Sequence, residues 1–454
     1  MPALHWFRRD LRLHDNPALT AAADASRSDG GEVVGLFVLD DETPNYQGYD
    51  YRVGGAQRWW LHHSLEALSK DMGGRLLLRH GRADKVVREV AKDIGASSVH
   101  AGRLEEPWER ESEEALADLV TFHEQDTLVP PGEVRTGGGA YFKVYGPFWR
   151  ALTHRLPPDE PLPKARVKWA TPPKGDTLAS WKLLPTKPDW STGFDEDWTP
   201  GEEGAARHLE AFEAEVARYD ARRNLPSEEG TSRLSPHLHW GEVSPRQLWY
   251  ALHRLKGGSF LKELAWRDFA RAAMLVQPDI GWTNGREKMN GLRHRTGKAA
   301  DADFRAWAKG RTGYPIVDAG MRQLWTTGWM HNRVRMIVAS FLAKHLLLDW
   351  RRGERWFWDT LVDADYGNNS LNWQWVAGTG SDSQIASRIM TPIGQSEKFG
   401  AGDYIRRWVP ELADLDDRLI HDPPDEARGD YPTKIVEHRE GRERYLAALA
   451  KARG

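Results

Sequence analysis

Cysteine is missing from this sequence of 454 residues. Its absence excludes disulfide bonds, zinc–thiolate centres and cysteine-ligated iron–sulfur clusters. An excess of basic charge is missing as well, because the formal net charge is −3. A nucleic-acid partner would therefore have to meet a local basic face, or be recognised by shape.

Long apolar runs are also absent. The start, MPALHWFRRDLRL, turns basic early and lacks the apolar stretch of a signal peptide. The apolar runs elsewhere are too short and too interrupted to span a bilayer. We therefore expect a cytoplasmic protein without membrane contact.

The first part of the chain alternates short apolar runs with polar, alanine-rich stretches. The runs ALHWF, EVVGLFVLD, GRLLLRHG, SSVHAGR and DTLVPPG predict strands, and the stretches between them predict helices. Such alternation is typical of a parallel sheet with helices on both faces, which binds ligands at the carboxyl ends of its strands. Neither a G-x-G-x-x-G motif after the first strand nor a G-x-x-x-x-G-K-[ST] motif is present.

The chain is longer than one hydrophobic core usually supports, which predicts two domains. Residues 1–130 are predicted to form an α/β, Rossmann-like parallel-sheet domain. Residues 131–198 are interpreted as a connector, because prolines punctuate most of that stretch. In residues 199–454, apolar positions recur at three- and four-residue intervals, as in FLKELAWRDFARAAML, which predicts an all-α domain.

Tryptophan is abundant, with 22 residues, and the segment GNNSLNWQW places Trp373 and Trp375 beside three asparagines. Buried packing is the ordinary reason for such residues. The alternative is that a flat, electron-rich ligand is bound at this segment.

Two predicted helices carry mixed faces of polar and apolar groups. Glu263, Trp266 and Arg267 stand at i, i+3 and i+4 and share one face. A solvated salt bridge beside a core tryptophan is the simpler explanation of that set. Asn332 and Met336 share a face of another helix, where an amide and a thioether suit recognition of a heterocycle. Core packing is the ordinary alternative there too.

Hydroxyl side chains gather in EGTSRLSPHLHWGEVSP. Thr231, Ser232 and Ser235 precede helical sequence, where they either bind a phosphate or cap the helix. His237 and His239 in the same stretch lack the carboxylate and the third ligand of a metal site. We expect no bound metal.

Six blocks of the sequence belong together: WFRRDLRLHDNPAL, EGTSRLSPHL, ELAWRDF, TGYPIVDAGMRQLWTTGWMHNRVRMIVASFL, DWRRGERWFWDTLVDADYGNNSLNWQW and EKFGAGDYIRRWVPEL. In this order, from residue 6 to residue 412, they resemble the photolyase/cryptochrome family. The resemblance implies an N-terminal α/β antenna domain, a connector and a C-terminal helical domain that holds U-shaped FAD.

The resemblance also implies how FAD is held. The TSRLS block corresponds to the flavin-phosphate segment, Arg335 and Asp363 to a salt-bridged pair beside the isoalloxazine ring, and Asn369 to the residue facing flavin N5. Asparagine at that position resembles DNA-repair photolyases, whereas plant-type cryptochromes have aspartate. The implied FAD contacts are Tyr219, Thr231, Ser232, Leu234, Ser235, Arg335, Asp363, Asp365 and Asn369.

The implied substrate is the cyclobutane pyrimidine dimer in UV-damaged DNA, split by an electron from reduced, light-excited FAD. Glu263 and Asn332 would hydrogen-bond the dimer, and burial would favour a protonated Glu263. Met336 would pack on the dimer, with Trp266 and Trp375 flanking it. The branch that repairs (6-4) photoproducts has a histidine at the position of Asn332. The implied DNA-binding residues are Arg267, Arg333, Arg388 and Lys398, of which the last three are candidates for phosphates flanking the lesion.

Electron transfer to the flavin is implied for Trp373 and Trp350. Counting back from TGYP, the family's third, surface tryptophan falls on Gly297 in this sequence. Either photoreduction is impaired, or Trp356 or Trp358 supplies a branch.

An antenna chromophore, either folate or deazaflavin, is a further implied cofactor. Its identity stays open, since Leu104 stands where a deazaflavin-binding relative has aspartate.

We expect a monomer. The alternatives are a cryptochrome-like photoreceptor with the same fold and FAD, a nucleotide-binding module of the universal-stress or electron-transfer-flavoprotein type, and a non-enzymatic DNA-binding protein.

Overall fold

The structure is a computed structural model that describes residues 1–28, 31–255, 257–383 and 386–453. A five-stranded parallel sheet and a small antiparallel hairpin lie in the first part of the chain, and helices follow. This arrangement confirms the predicted fold class. The strands are β1 Ala3–Phe7, β2 Val33–Leu39, β3 Asn45–Tyr46, β4 Tyr49–Asp50, β5 Leu76–His80, β6 Ser98–Gly102 and β7 Val120–His123.

The parallel sheet has the strand order β5–β2–β1–β6–β7. Ala3 of β1 is in register with Val33 of β2 and with Ser98 of β6. Every residue of β1 and β2 is buried, as expected for apolar central strands covered by helices on both faces. The helices of this part are α1 Pro17–Ser28, α2 Gly55–Asp71, α3 Ala83–Asp93 and α4 Pro107–Ala115.

The last strand differs from the sequence prediction. DTLVPPG does not form a strand, and β7 lies instead within a stretch predicted as helix. The glutamate-rich helix α4 ends at Ala115, and the β-branched and aromatic residues that follow pair in parallel with β6. Pro130 and Pro131 have no N–H to offer a sheet ladder.

The connector predicted at 131–198 contains the helices α5 Tyr145–Thr153 and α6 Phe194–Asp197, and its Trp169 forms a bridge to Val33 beside the sheet. No helix in the described part of the chain is both long and apolar enough to cross a membrane. The later helices are α7 Glu202–Glu215, α8 Tyr219–Arg222, α9 Ser235–Trp240, α10 Pro245–Leu252, α11 Gly258–Val276, α12 Lys298–Ala308, α13 Pro315–Thr327, α14 Asn332–Ser340, α15 Trp350–Thr360, α16 Tyr366–Ala377, α17 Pro392–Lys398, α18 Gly402–Trp408 and α19 His438–Arg453. Short 3-10 helices lie at Pro131–Glu133, Leu178–Trp181, Val216–Arg218, Glu287–Gly291 and Pro410–Leu412, and a π-helical turn lies at Phe341–His345.

Buried charges join the carboxyl edge of the sheet to the helical domain. Arg271 on α11 lies 2.9 Å from Asp126, which follows β7, and 2.7 Å from Asp365, which precedes α16. Glu105 and Glu106, which follow β6, lie 3.6 Å and 3.8 Å from the same guanidinium. Burial opposes the charge of Asp365, but Arg271, His239 and Arg267 together hold the pKa of that carboxyl well below its usual range. Beyond β6 and β7, the predicted ligand-binding edge is therefore occupied by protein groups.

Replacing Arg271 by methionine should destabilise the protein by about 3–5 kcal/mol, because it leaves buried carboxylates without a countercharge. The midpoint of urea unfolding measures the loss. Arg88→Met is the matched control, since Arg88 pairs through two nitrogens with Asp118 at the surface, where such pairs contribute little. Equal midpoints for the two variants would contradict this assignment.

Candidate functional site

A cavity of about 530 Å³ opens in the helical domain between α11, α14, α16 and the loop before α9. Its volume is in the range of small-molecule and cofactor sites. Leu234, Trp350, Arg388 and Lys398 do not line it. The residues predicted from sequence that do line it are Tyr219, Thr231, Ser232, Ser235, Glu263, Trp266, Arg267, Asn332, Arg333, Arg335, Met336, Asp363, Asp365, Asn369, Trp373 and Trp375.

One part of the cavity wall carries hydroxyl groups and a cation. Thr231, Ser232 and Ser235 line it together with Arg233, whose buried Nε has no hydrogen-bond partner among the described residues. Hydroxyl groups and a free guanidinium N–H are donors that a phosphate accepts. Leu234 is fully buried in a hydrophobic cluster with Phe212 and Leu238, and it supports this loop without lining the cavity.

An ion pair forms a second part of the wall. Arg335 donates to both carboxylate oxygens of Asp363, at 3.1 Å and 2.9 Å, and its Nε donates to the carbonyl of Met330 at 2.8 Å. The hydroxyl of Ser235 donates to the same carboxylate at 2.6 Å. The paired charges are thus held from three directions and cannot reorient freely.

Asn369 on α16 is oriented by a buried acid. Its Nδ2 donates to the Oε1 and to the backbone carbonyl of Glu354, at 3.0 Å and 3.1 Å. Burial raises the pKa of Glu354 to about 7. Because the amide nitrogen is committed to α15, the oxygen of Asn369 is the amide atom left for a ligand.

Glu263, Trp266, Asn332, Met336 and Trp375 are exposed or partly exposed lining residues, and we call this group the mouth of the cavity. Within it, Glu263 has a charged partner. Arg223 lies 2.5 Å from its carboxylate, and Glu263 is about one-third exposed. The protonated form of Glu263 stays a prediction.

The start of α14 presents the other predicted substrate contacts. Asn332 is the first residue of the helix and is exposed, and Met336 lies one turn further along the same face. Arg333 donates to the side chain of Asn224 at 2.7 Å. His331 caps the helix through Nδ1, which accepts the N–H of Arg333, and burial lowers its pKa to about 4. His331 is neutral and lies outside the cavity lining.

Trp373 is buried on the cavity wall, with its ring edge-on to Phe357 at 5.0 Å between centroids. A side chain at Gly353 would collide with the Trp373 ring, so α15 and α16 can approach this closely only with glycine there. Trp350 is fully buried and donates from Nε1 to Asn284 at 2.9 Å.

Gly297 has a φ of +85° directly before α12, a conformation that glycine adopts easily and tryptophan does not. Of the two tryptophans suggested as substitutes, Trp356 stacks on the half-exposed Trp325, with 6.1 Å between ring centroids. Trp358 is buried, edge-on to Tyr51 at 5.3 Å. Trp356 is therefore the one in direct ring contact with an exposed tryptophan.

The four residues assigned to DNA binding separate into two groups. Arg267 lines the cavity, but its largely buried guanidinium donates to the carboxylate and carbonyl of Asp126, and its contact with DNA stays a prediction. Arg333 lies at the cavity, and Arg388 and Lys398 are exposed. These three stay available for contact with DNA.

A group with metal-ligand geometry lies outside the cavity. His62, His63 and Glu66 on α2 bring their ligand atoms within 4.8 Å of one another. Both imidazoles already pair with the carboxylate, at 3.6 Å and 3.1 Å. The absence of a bound metal stays a prediction.

Sequence reasoning missed several residues of this site. Arg223 follows Tyr219 by four positions, and that helical spacing was a usable signal. Glu354 precedes Asn369 by 15 positions on another helix, so only the tertiary structure joins them. Arg233 lies in the sequence between predicted cofactor contacts but was not itself predicted to be one.

Known proteins resemble this chain over its whole length. Residues 260–451 match the family model described as the FAD binding domain of DNA photolyase, and residues 3–166 match the model described as DNA photolyase. The deoxyribodipyrimidine photo-lyase of Agrobacterium fabrum is 43% identical, with 99% of this chain and 98% of that protein covered. That of Escherichia coli is 37% identical, with 99% and 98% covered. The crystal structure of a bacterial class III photolyase from Agrobacterium tumefaciens has a TM-score of 0.91 and 43% identity, with 99% of this chain and 97% of that chain covered.

Glu354→Gln should change how stability depends on pH. An acid whose pKa rises from 4.5 to about 7 on folding keeps its proton in the folded state while the unfolded chain loses it. Wild-type stability should therefore fall as pH rises from about 5 to 8 by up to about 3 kcal/mol from this group. Glutamine resembles the protonated acid and removes that fall.

Urea unfolding midpoints at pH 5, 6, 7 and 8 measure the effect. Glu203→Gln is the control, because Glu203 is exposed on α7. If wild type and Glu354→Gln kept parallel profiles from pH 5 to 8, the buried-acid assignment would be wrong.

Proposed function

The chain belongs to the DNA photolyase family, and on that premise we propose which of its residues hold FAD, which meet damaged DNA and which support them. The activity is that of a deoxyribodipyrimidine photo-lyase, which splits cyclobutane pyrimidine dimers in UV-damaged DNA under blue or near-UV light. The observation that carries the assignment is one cavity that combines phosphate-binding donors, a fixed ion pair and an aromatic mouth.

The residues of the cavity fit FAD. Thr231, Ser232 and the unpaired Nε of Arg233 would donate to the phosphates, while Ser235, whose hydroxyl donates to Asp363, would line the cavity beside them. The ion pair of Arg335 with Asp363, the ring of Tyr219 and the oxygen of Asn369 would line the flavin. Leu234 supports the loop before α9 from the hydrophobic core, and Asp365 caps the start of α16. When bound and reduced, FAD supplies on excitation the electron that opens the cyclobutane ring, and it takes the electron back afterwards.

The mouth would receive a dimer that has left the DNA helix. A dimer stacked within a duplex cannot reach this cavity, so it must be extruded, and a lesion with weakened pairing costs less to extrude than an intact base. Trp266 and Trp375 offer faces on which the extruded pyrimidines stack, each worth about 1–3 kcal/mol. Met336 fills the remaining apolar gap.

Glu263 and Asn332 would read the edges of the pyrimidines. The carboxyl group of Glu263, which pairs with Arg223, would accept a ring N–H of the dimer. The amide N–H of Asn332 and the remaining donors of Arg223 would then serve the pyrimidine carbonyls.

Electron supply to the cavity is assigned to Trp373 and Trp350, as the resemblance implies. Trp373 on the wall and the fully buried Trp350 support this assignment. Trp356 with the half-exposed Trp325 supports a branch that reaches the surface without position 297.

DNA phosphates beside the lesion would contact Arg333, Arg388 and Lys398, and this part of the affinity should fade with added salt. The net charge of −3 leaves recognition to this local group and to the mouth. We further propose that the protein acts as a monomer in the cytoplasm, the compartment that holds the chromosome in bacteria such as those of its relatives.

A cryptochrome-like photoreceptor is the second candidate. A cryptochrome of Synechocystis has a TM-score of 0.86 at 25% identity, with 98% of this chain and 99% of that chain covered. Repair is favoured by Asn369 in place of aspartate and by the exposed Asn332 at the cavity mouth.

Reduced, FAD-loaded protein mixed with an oligonucleotide that contains one thymine dimer should restore thymine absorbance in blue light and not in the dark. Glu263→Ala should bind that oligonucleotide about five- to a hundredfold more weakly, because a buried donor left without its acceptor costs about 1–3 kcal/mol. Glu229→Ala, at an exposed position before the cavity loop, is the control. Bound FAD without dimer splitting in light would move the function to photoreception.

A further inference from the structure

Tyr145, the first residue of α5, lies flat against Trp266. The two rings are 3.7 Å apart between centroids and within 7° of parallel. Phe269 meets Trp266 edge-on from a second side, at 5.7 Å. Trp266 lines the cavity, whereas Tyr145 does not. One face of the indole is therefore covered, and the opposite face is left for a ligand.

Hydrogen bonds at both ends fix Tyr145 in this place. Its hydroxyl donates to the carbonyl of Lys262 at 2.8 Å. That carbonyl is the one that accepts the N–H of Trp266 in a regular α-helix. Its backbone N–H donates to Asp382 at 2.7 Å, in the loop after α16. Tyr145 thus joins the connector, α11 and that loop around a single indole ring.

We propose that Tyr145 is a positioning residue for lesion recognition, which holds Trp266 so that its open face is already aligned for the extruded pyrimidine. The inference rests on the function proposed above. A tryptophan without this support would sample several rotamers and would have to be ordered when the dimer binds. Ordering a side chain on binding lowers affinity, and removing that cost beforehand raises it.

An ordinary packing role for Tyr145 leads to different expectations. If the ring only filled space, its loss would lower stability and FAD retention and would weaken all DNA binding equally. A positioning role instead affects only the complex in which Trp266 stacks on a base. Undamaged duplex DNA, which keeps its bases inside the helix, should not sense the change.

Tyr145→Met tests this, because methionine fills the volume with an apolar but flexible chain and lacks the flat face. We expect its affinity for an oligonucleotide with one thymine dimer to fall about three- to tenfold. Affinity for the undamaged oligonucleotide, flavin absorbance per protein and the repair rate at saturating lesion should stay unchanged. Tyr145→Phe keeps the stacked ring and should bind the lesion nearly as wild type does.

Tyr49→Met is the matched control, since Tyr49 stacks on Trp282 at 4.7 Å and 16° in a pair that does not line the cavity. A similar loss of lesion affinity in that variant would overturn the inference. Equal losses for damaged and undamaged DNA in Tyr145→Met would overturn it as well.

A double-variant cycle with Trp266→Ala isolates the coupling. If Tyr145 acts through Trp266, Tyr145→Met should weaken lesion binding no further once Trp266 is removed. Additive losses would overturn the inference. If the proposed function is wrong, wild-type protein will neither prefer dimer-containing DNA nor split the dimer. If wild-type protein does both and Tyr145→Met binds the lesion equally well, only the inference about Tyr145 is overturned.

Discussion

The buried guanidinium of Arg271 is the constraint on which the placement of the cavity depends. It pairs with Asp126, which follows β7 at the carboxyl edge of the sheet, and with Asp365 at the start of α16. The same Asp365 carboxylate accepts the N–H of Asn368 and so caps α16. A charge buried this deeply is tolerated only with its partners in place. The ion pairs therefore fix the register between the α/β domain and the helix that carries the cavity wall.

From that fixed start, α16 presents Asn369 and Trp373 one turn apart toward the cavity, with Trp375 at the mouth. Each is then held by a neighbour from another helix, Asn369 by Glu354 and Trp373 by Phe357. Preorganised polar and aromatic groups of this kind lose little entropy when a ligand binds. The chain thus supplies position and electrostatics, and the cofactor supplies the electron chemistry.

Strands and helix faces depend on residues that are close together in the sequence, and the sequence alone predicted most of them. Four of the five strands of the parallel sheet follow from short apolar runs, and the shared faces of α11 and α14 follow from spacing of three or four residues. Arg267 and its neighbour Trp266 both line the cavity, but spacing could not tell that the guanidinium of Arg267 pairs with Asp126. That pairing depends on the carboxylate that follows β7, which is far away in the sequence.

Pairs far apart in the chain were the other gap. The contact of Arg223 with Glu263 adds a guanidinium to the predicted substrate face, yet 40 positions separate the two residues. The stack of Tyr145 on Trp266 comes from the stretch interpreted from its composition as a connector, in which the structure has helix α5. The family resemblance supplied roles for individual residues, but the supporting contacts around them needed the folded chain.

An action spectrum of repair tests the central claim most directly. Protein carrying reduced FAD as its sole chromophore would be given dimer-containing DNA and equal photon doses across the near-UV and blue range. The account predicts that the repair rate follows the absorption spectrum of the bound, reduced flavin and is zero in the dark. Repair that persists in the dark, or that does not follow the flavin's absorption, would contradict it.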